Sequence, residues 1–233
     1  LIQLPNISEL HNLQFLDISN RTLHTNIDQL QSLTQLQEIN IENTPKIDNL
    51  DILANLPKLR ELIWIDHNIV QSILCATAIL RQDHQAIRNH IDDWCQALHF
   101  SSSPNIFAQR IASALELLAT NSLQYWREFI YVCRKRGMLR EGDNQLSQKT
   151  WRHIFQKAQN CNLLIDVLEY ALSNLSHRSE GDIILCVAFQ MVVEIPKSQH
   201  QRFKTLLFNI IKTLPASLRR RHSPAIVITL ANL

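Results

Sequence analysis

Apolar residues recur at a fixed interval of 23 residues in the first third of the chain. A motif of alternating apolar positions begins at Leu13, Leu36 and Leu59, so each copy starts 23 residues after the one before it. Alternation of this kind predicts a short strand with one buried face. Three apolar columns upstream predict a return segment between strands. These columns are Leu4, Ile27 and Leu50; Ile7, Leu30 and Leu53; and Leu10, Leu33 and Leu56.

A period of this length lies within the range of about 20–29 residues that is typical of leucine-rich repeats. One repeat cannot bury its apolar face alone, and stacking makes the core continuous. The column that usually holds asparagine contains Arg21, Thr44 and His67, so we expect an irregular turn there. Three copies are few for a stable stack, and the chain opens inside the first. We therefore expect further repeats or a cap before Leu1.

After Val70 the apolar period lengthens to about 3.6 residues, as in amphipathic helices. One or two helices are expected between Gln71 and Leu98, and others begin after the capping residues Ser103, Asn121, Ser122 and Ser147. Further helices are predicted over roughly 105–119, 162–177, 182–195, 198–213 and 224–232. The sequence thus predicts an α+β fold in which a short leucine-rich-repeat solenoid of about three repeats (residues 1–70) packs on a C-terminal all-α bundle (residues 71–233).

The last copy of the motif lies where the repeat meets the helices. Trp64 replaces the aliphatic residue of the earlier copies, and Ile69 still fits the repeat column. We predict that Trp64, Ile65 and Ile69 lie buried between the two domains. Ile65 is for this reason left out of the candidate binding residues.

The residues between the buried strand positions face outward, and solenoids bind partners on this concave surface. Four of them are carboxylates, a composition that suits a protein partner with a partly basic surface. A solvated strand face is the alternative at any single position. The candidate partner-binding residues are Phe15, Asp17, Ser19, Glu38, Asn40, Glu42, Glu61 and Ile63.

The two predicted domains differ in net charge. Residues 1–70 hold 9 acidic and 4 basic residues, and the remainder holds 12 acidic and 19 basic residues. Two basic clusters, at 134–140 and 219–222, are expected to be solvated helix ends, where the helix dipole favours cations. An acidic partner, an anionic membrane surface and nucleic acid are the alternatives. No nucleic-acid partner is predicted, because no zinc finger or aromatic RNA-binding signature accompanies the charge. No apolar run is long enough for a transmembrane helix.

Few residues suggest chemistry. Three separated glycines exclude phosphate-binding loops, and the ten histidines lack metal-ligand spacing, so no cofactor and no metal site are predicted. The five cysteines form no C-x-x-C pair, which favours free thiols in a reducing compartment. Cys161 is the candidate nucleophile because it adjoins a helix junction, with His153 and Asp166 as possible partners. A structural cysteine is the competing and more common interpretation.

An acidic repeat module followed directly by helices resembles the leucine-rich-repeat effector proteins that Gram-negative bacteria inject into host cells. The resemblance implies an effector that is secreted into the host cytoplasm and binds a protein there. If the protein is not an effector, we expect it in the cytoplasm of its own cell. In two such families the helical domain is a ubiquitin ligase, one of which acts through a C-x-D cysteine. The stretch "WRHIFQKAQNCNLLIDVL" is similar to the context of that cysteine, although Asn162-Leu163 replaces x-D. The alternative function is therefore an E3 ubiquitin ligase that recruits substrate through the repeat and works with an E2 enzyme.

Overall fold

A computed structural model describes most of the chain and divides it into two compact units, Leu1–Ser103 and Pro104–Leu233. The described residues are 6–20, 27–44, 47, 49–118, 123–135, 144–173, 178–213 and 216–232. Residues 4, 21, 121 and 122, much of the basic cluster at 134–140, and the predicted helix ends at 119 and 177 lie outside them. The first unit extends beyond residue 70, where the sequence pattern changes. The assignment of domains to 1–70 and 71–233 stays a prediction.

The first unit contains a parallel sheet of three short strands in the order β1, β2, β3. Its residues pair at an interval of 23 positions, so that Leu16 lies beside Ile39 and Ile39 beside Leu62. Two 3-10 helices, Asp28–Ser32 and Leu50–Asn55, lie between the strands along the chain, and two α-helices follow. The bounds are β1 Phe15–Asp17, β2 Glu38–Asn40, β3 Glu61–Ile63, α1 His67–Leu80 and α2 His84–Phe100.

One apolar core lies beneath the sheet and extends to α1. Successive side chains of a strand point to opposite faces, and the central residues of β2 and β3, Ile39 and Leu62, are buried. Val70 and Ile73 of α1 belong to the same cluster, and α1 packs against β3 and the second 3-10 helix. The remaining buried members come mainly from the 23-residue columns: Ile27, Leu30, Leu33, Leu36, Leu50, Leu53, Leu56 and Leu59.

The turns after the strands depend on a polar column one residue earlier than the sequence pattern suggests. Asn20 and Asn43 adopt left-handed backbone conformations, with φ of 56° and 54°, which asparagine tolerates better than most residues. Their side chains are joined, since Asn43 Nδ2 donates to Asn20 Oδ1 at 3.0 Å. Asp66, another 23 residues on, caps α1 by accepting hydrogen bonds from the backbone N–H groups of Asn68 and Ile69.

The predicted α+β leucine-rich-repeat solenoid is wrong. The described ranges hold nine α-helices and one sheet of three-residue strands, and no solenoid of repeats is seen. The 23-residue interval specifies the register of three neighbouring strands and the packing beneath them. It does not specify a stack, because after β3 the Asp66 cap starts α1, and α1 packs against β3 and the second 3-10 helix.

The predicted burial at the end of the sheet is wrong for Ile65, whose side chain is 81% exposed. Trp64 and Ile69 are partly buried and pack against the core of the first unit. The period of two residues along a strand explains the difference. Ile63 and Ile65 face outward together, and Trp64 between them faces the core.

The second unit is formed by α-helices joined by short segments, with α5 in contact with α3, α6 and α7. Buried Trp151, Ile154 and Phe155 give α5 its apolar side. The last helix begins eight residues before its predicted start at Pro224, which lies inside it. The helices are α3 Pro104–Leu117, α4 Leu123–Lys135, α5 Asn144–Asn160, α6 Leu164–Ser173, α7 Arg178–Met191, α8 His200–Thr213 and α9 Ala216–Asn232, with 3-10 helices Val192–Glu194 and Lys197–Gln199 between α7 and α8.

Candidate partner-binding surface

Three rows of side chains cross the outer side of the sheet, which we call the open face. Strand pairing aligns its first two rows, and the third follows at the same 23-residue interval. All eight candidate binding residues from the sequence lie on it and are exposed or partly exposed, and Ile65 joins them. The rows are Phe15, Glu38 and Glu61; Asp17, Asn40 and Ile63; and Ser19, Glu42 and Ile65.

The open face exposes three large apolar side chains. Phe15 is 60% exposed and Ile63 is 41% exposed, in addition to Ile65. Single exposed apolar residues are normal on proteins, but three on one small sheet surface provide area that a partner could cover. Sequence reasoning missed Ile65, although strict strand alternation, continued for two residues beyond Ile63, would have found it.

Two polar residues of the open face are held by hydrogen bonds within it. Asp17 accepts from the backbone N–H of Ser19 at 2.9 Å and from Asn40 Nδ2 at 3.3 Å. Asn40 Oδ1 accepts from the backbone N–H of Glu42 at 3.0 Å. The bonds to the backbone N–H groups of Ser19 and Glu42 are Asx turns, in which an Asp or Asn side chain accepts from the backbone two residues further on. Asp17 and Asn40 therefore hold the ends of the strands and order the surface around them.

The remaining carboxylates are exposed and close together. Glu38 and Glu61 are Cα partners on adjacent strands, where strands lie about 4.8 Å apart. Like charges opposite each other on a sheet destabilise it. In the described part of the chain no ion pair involves Glu38, Glu42 or Glu61. A cationic group bound at this surface would relieve the repulsion.

The structure does not activate the candidate nucleophile. Cys161 is half-buried after the end of α5, and burial together with the Glu116 carboxylate raises the pKa of its thiol. A catalytic thiol needs the opposite shift. Its predicted partners are engaged elsewhere: Asp166 accepts hydrogen bonds from Arg202, and His153 Nε2 lies 3.1 Å from Ser113 Oγ.

The polar groups near Cys161 join α3 to α5. Lys157 Nζ lies 2.5 Å from Glu116 Oε2, and Asn160 donates to the other oxygen of that carboxylate. Burial alone would raise the pKa of Glu116, but these two hydrogen bonds, together with the charges of Lys157 and His153, hold the pKa below its usual range. The arrangement is an interhelical ion pair, which stabilises the packing of the two helices.

His153 in this group makes stability depend on pH. Burial, assisted by the charge of Lys157, lowers its pKa. As the pH falls through about 6.5, the unfolded chain therefore binds a proton that the folded chain does not, and stability falls. We expect His153→Gln to reduce the loss of stability between about pH 7 and pH 5, measured by urea unfolding at each pH. His84→Gln, at an exposed position, is the control, and equal slopes for His153→Gln and wild type would contradict the assignment.

The basic cluster at 219–222 is partly used within the chain. Arg221 Nη1 donates to Asp182 Oδ2 at 2.7 Å, and the His222 ring lies within hydrogen-bond distance of the other oxygen of Asp182. Arg220 is exposed. These contacts connect α9 to α7, so part of the cluster has a structural role.

Among the residues of the described ranges, no group of three or more His, Cys, Asp or Glu side chains could hold a metal ion. Within the same ranges, every helix is too short or too polar to cross a bilayer.

No family model, curated protein or solved structure matches this chain. The resemblance to bacterial leucine-rich-repeat effectors is corrected by the fold. The described chain is mostly helical, and its only sheet has three strands without an evident solenoid of repeats. The apolar columns that suggested the resemblance are accounted for by strand register and by the core beneath one small sheet.

Proposed function

We propose that this protein binds a partner protein through the open face of its sheet, and that the partner surface is partly basic. The observation that carries the proposal is the combination of exposed Phe15, Ile63 and Ile65 with the carboxylates of Glu38, Glu42 and Glu61, which are exposed and have no ion-pair partner among the described residues. Apolar side chains among charged ones suit a protein interface, in which an apolar centre excludes water and a polar rim selects the partner.

The open face is suited to binding because much of it is ordered in advance. Asp17 and Asn40 are tied to backbone groups and to each other, and the inner sides of β2 and β3 are anchored in the core. A surface that loses little conformational freedom on binding retains more of its interaction energy as affinity. Phe15 has only two side-chain torsions, so covering it costs little entropy.

The size of the surface indicates a modest affinity. Nine residues form the open face, whereas a standard interface uses about 20–30 residues on each side. A partner that covers only this face would form a small, transient complex. Its electrostatic part would weaken with salt, because the carboxylates are exposed.

Charge reversal tests the proposal. Partners are captured on the immobilised chain, purified, and titrated by calorimetry against wild type and variants at low and high salt. We expect Glu38→Lys with Glu61→Lys to reduce the affinity at least about tenfold, because both carboxylates then repel a basic surface. Asp92→Lys with Asp93→Lys, on exposed positions of α2, adds the same charge elsewhere in the first unit.

The control pair separates a local contact from a general effect of charge. An equal loss of affinity for both double variants would mean that net charge alone governs binding. An unchanged affinity in Glu38→Lys with Glu61→Lys would remove the open face from the interface. The raised pKa of Cys161 offers no support for ubiquitin transfer through a cysteine.

A further inference from the structure

The first unit has a cleft that is separate from the open face. It lies between the segments that precede β2 and β3 and the C-terminal end of α1, and its volume is about 610 Å³. This is within the range of about 300–1,000 Å³ that is usual for small-molecule sites. The residues that matter for its chemistry are Gln35, Lys58, Arg60, Leu80, Arg81 and Asp83.

The cleft concentrates positive charge in an acidic part of the molecule. Residues 1–103 contain 12 acidic and 6 basic residues, a net charge of −6. Three of those six cations, Lys58, Arg60 and Arg81, line this one cleft. Asp83 is its only carboxylate among the lining residues, so the lining carries a net charge of +2.

Arg81 is a largely buried cation that is held in place. Its side chain is only 14% exposed, and one guanidinium N–H donates to the backbone carbonyl of Leu59. The Asp83 carboxylate lies 3.5 Å from Arg81 Nη2, and it also accepts from the backbone N–H of Ala86. Asp83 is therefore shared between an arginine and a helix N-terminus, and it offsets the charge of Arg81 only in part.

A second guanidinium increases the positive field at Arg81. Burial lowers the pKa of Arg81, Asp83 opposes that shift, and the charge of Arg60 lowers the pKa further. The Arg60 side chain is exposed, and in the described part of the chain it takes part in no side-chain hydrogen bond or ion pair; only its backbone N–H is bonded, to the carbonyl of Gln37. Two arginines that repel each other across a cleft are stabilised when an anion lies between them.

The rest of the lining suits an anion that carries a substituent. Lys58 Nζ donates to Gln35 Oε1, which keeps that cation at the wall of the cleft. Leu80 is half exposed and supplies an apolar surface. Charged, amide and apolar groups together distinguish this cleft from a bare cluster of surface cations.

We propose that this cleft binds a small molecule that carries a phosphate group. A phosphate monoester bears a charge of about −1.5 to −2 at pH 7 and three acceptor oxygens, which matches the net charge of +2. Guanidinium groups bind phosphate through paired hydrogen bonds. The substituent of the ester lies against Leu80 and Pro57. This binding goes beyond the proposed partner interaction and uses none of the open-face residues.

Three probes of known chemistry test the site on the whole protein at constant ionic strength. Phenyl phosphate, inorganic phosphate and phenylacetate are titrated by calorimetry, and amide NMR shifts locate the binding. We expect saturable binding of phenyl phosphate, weaker binding of inorganic phosphate, and binding of phenylacetate at least about tenfold weaker than of phenyl phosphate. Shifts are expected at the cleft residues, with Arg60 and Arg81 among them.

Variants of the lining residues test whether phenyl phosphate binds in the cleft. Arg60→Gln is expected to weaken phenyl phosphate binding at least about tenfold, and Lys58→Gln to weaken it less. Arg88→Gln, at an exposed position of α2 outside the cleft, is expected to bind as wild type does. Thermal unfolding without ligand verifies that each variant is folded. Absence of saturable phosphate binding, equal affinity for phenylacetate, or unchanged affinity in Arg60→Gln would each overturn the proposal.

Discussion

Replacing Phe155 by alanine is expected to lower the free energy of unfolding by about 3–5 kcal/mol. Phe155 is fully buried on α5, the helix that contacts α3, α6 and α7. Its ring centroid lies 5.3 Å from that of Trp151. Truncation would remove apolar burial and leave a cavity that four helices cannot close without moving. Since domains are stable by only about 5–15 kcal/mol, this single change would remove a large fraction of the total.

Chemical unfolding followed by circular dichroism measures this effect. Lys149→Ala provides the control, because Lys149 lies on the same helix but is exposed. A surface change of this kind is expected to alter stability by less than about 0.5 kcal/mol. A loss of less than about 1 kcal/mol for Phe155→Ala would mean that α5 is not the packed centre of the second unit.

The second large effect is expected at Ile39, where alanine should destabilise the first unit by about 2–5 kcal/mol. Ile39 is buried at the middle of β2, the central strand, and contributes to the core shared with α1. The loss of its side chain loosens the sheet from both sides, because β1 and β3 each pair with β2. Binding through the open face should weaken as a secondary result.

Glu38→Ala is the matched comparison, since Glu38 precedes Ile39 on the same strand and points outward. We expect it to leave unfolding within about 0.5 kcal/mol of wild type and to weaken partner binding directly. Unfolding curves and calorimetric titrations on both variants separate the two faces of β2. If Ile39→Ala unfolded like wild type, or if Glu38→Ala were the more destabilising change, the orientation of β2 would be wrong.

Much of the local structure could be predicted because it depends on short-range periodicity. The 23-residue interval specifies which strand residues lie side by side, and alternation separates outward Phe15 and Glu38 from inward Ile39. The change of period after Val70 indicates helices, since amphipathic helices repeat every 3.6 residues. All eight candidate binding residues consequently lie on one surface.

Other features were decided by contacts between distant residues. Nothing in the alternation shows that the chain leaves the sheet after β3 or that Asp66 caps α1. Asn20 and Asn43, not the residues that follow them, adopt the left-handed conformation in the turns. The predicted solenoid was wrong because a repeated apolar column identifies the residues that are buried. It does not identify the elements that pack against them.

The cleft shows most clearly the difference between what the sequence predicts and what tertiary contacts decide. The sequence determines that three of the six cations of residues 1–103 are Lys58, Arg60 and Arg81, in an acidic segment, but these residues span 24 positions and form no motif. Only the packing of α1 against β3 and the second 3-10 helix brings Arg81 to the carbonyl of Leu59 and beside Arg60. By itself the sequence determined the strand register and the helical segments. The tertiary structure alone decided which charges meet, because electrostatic interaction depends on distance in space and not on separation along the chain.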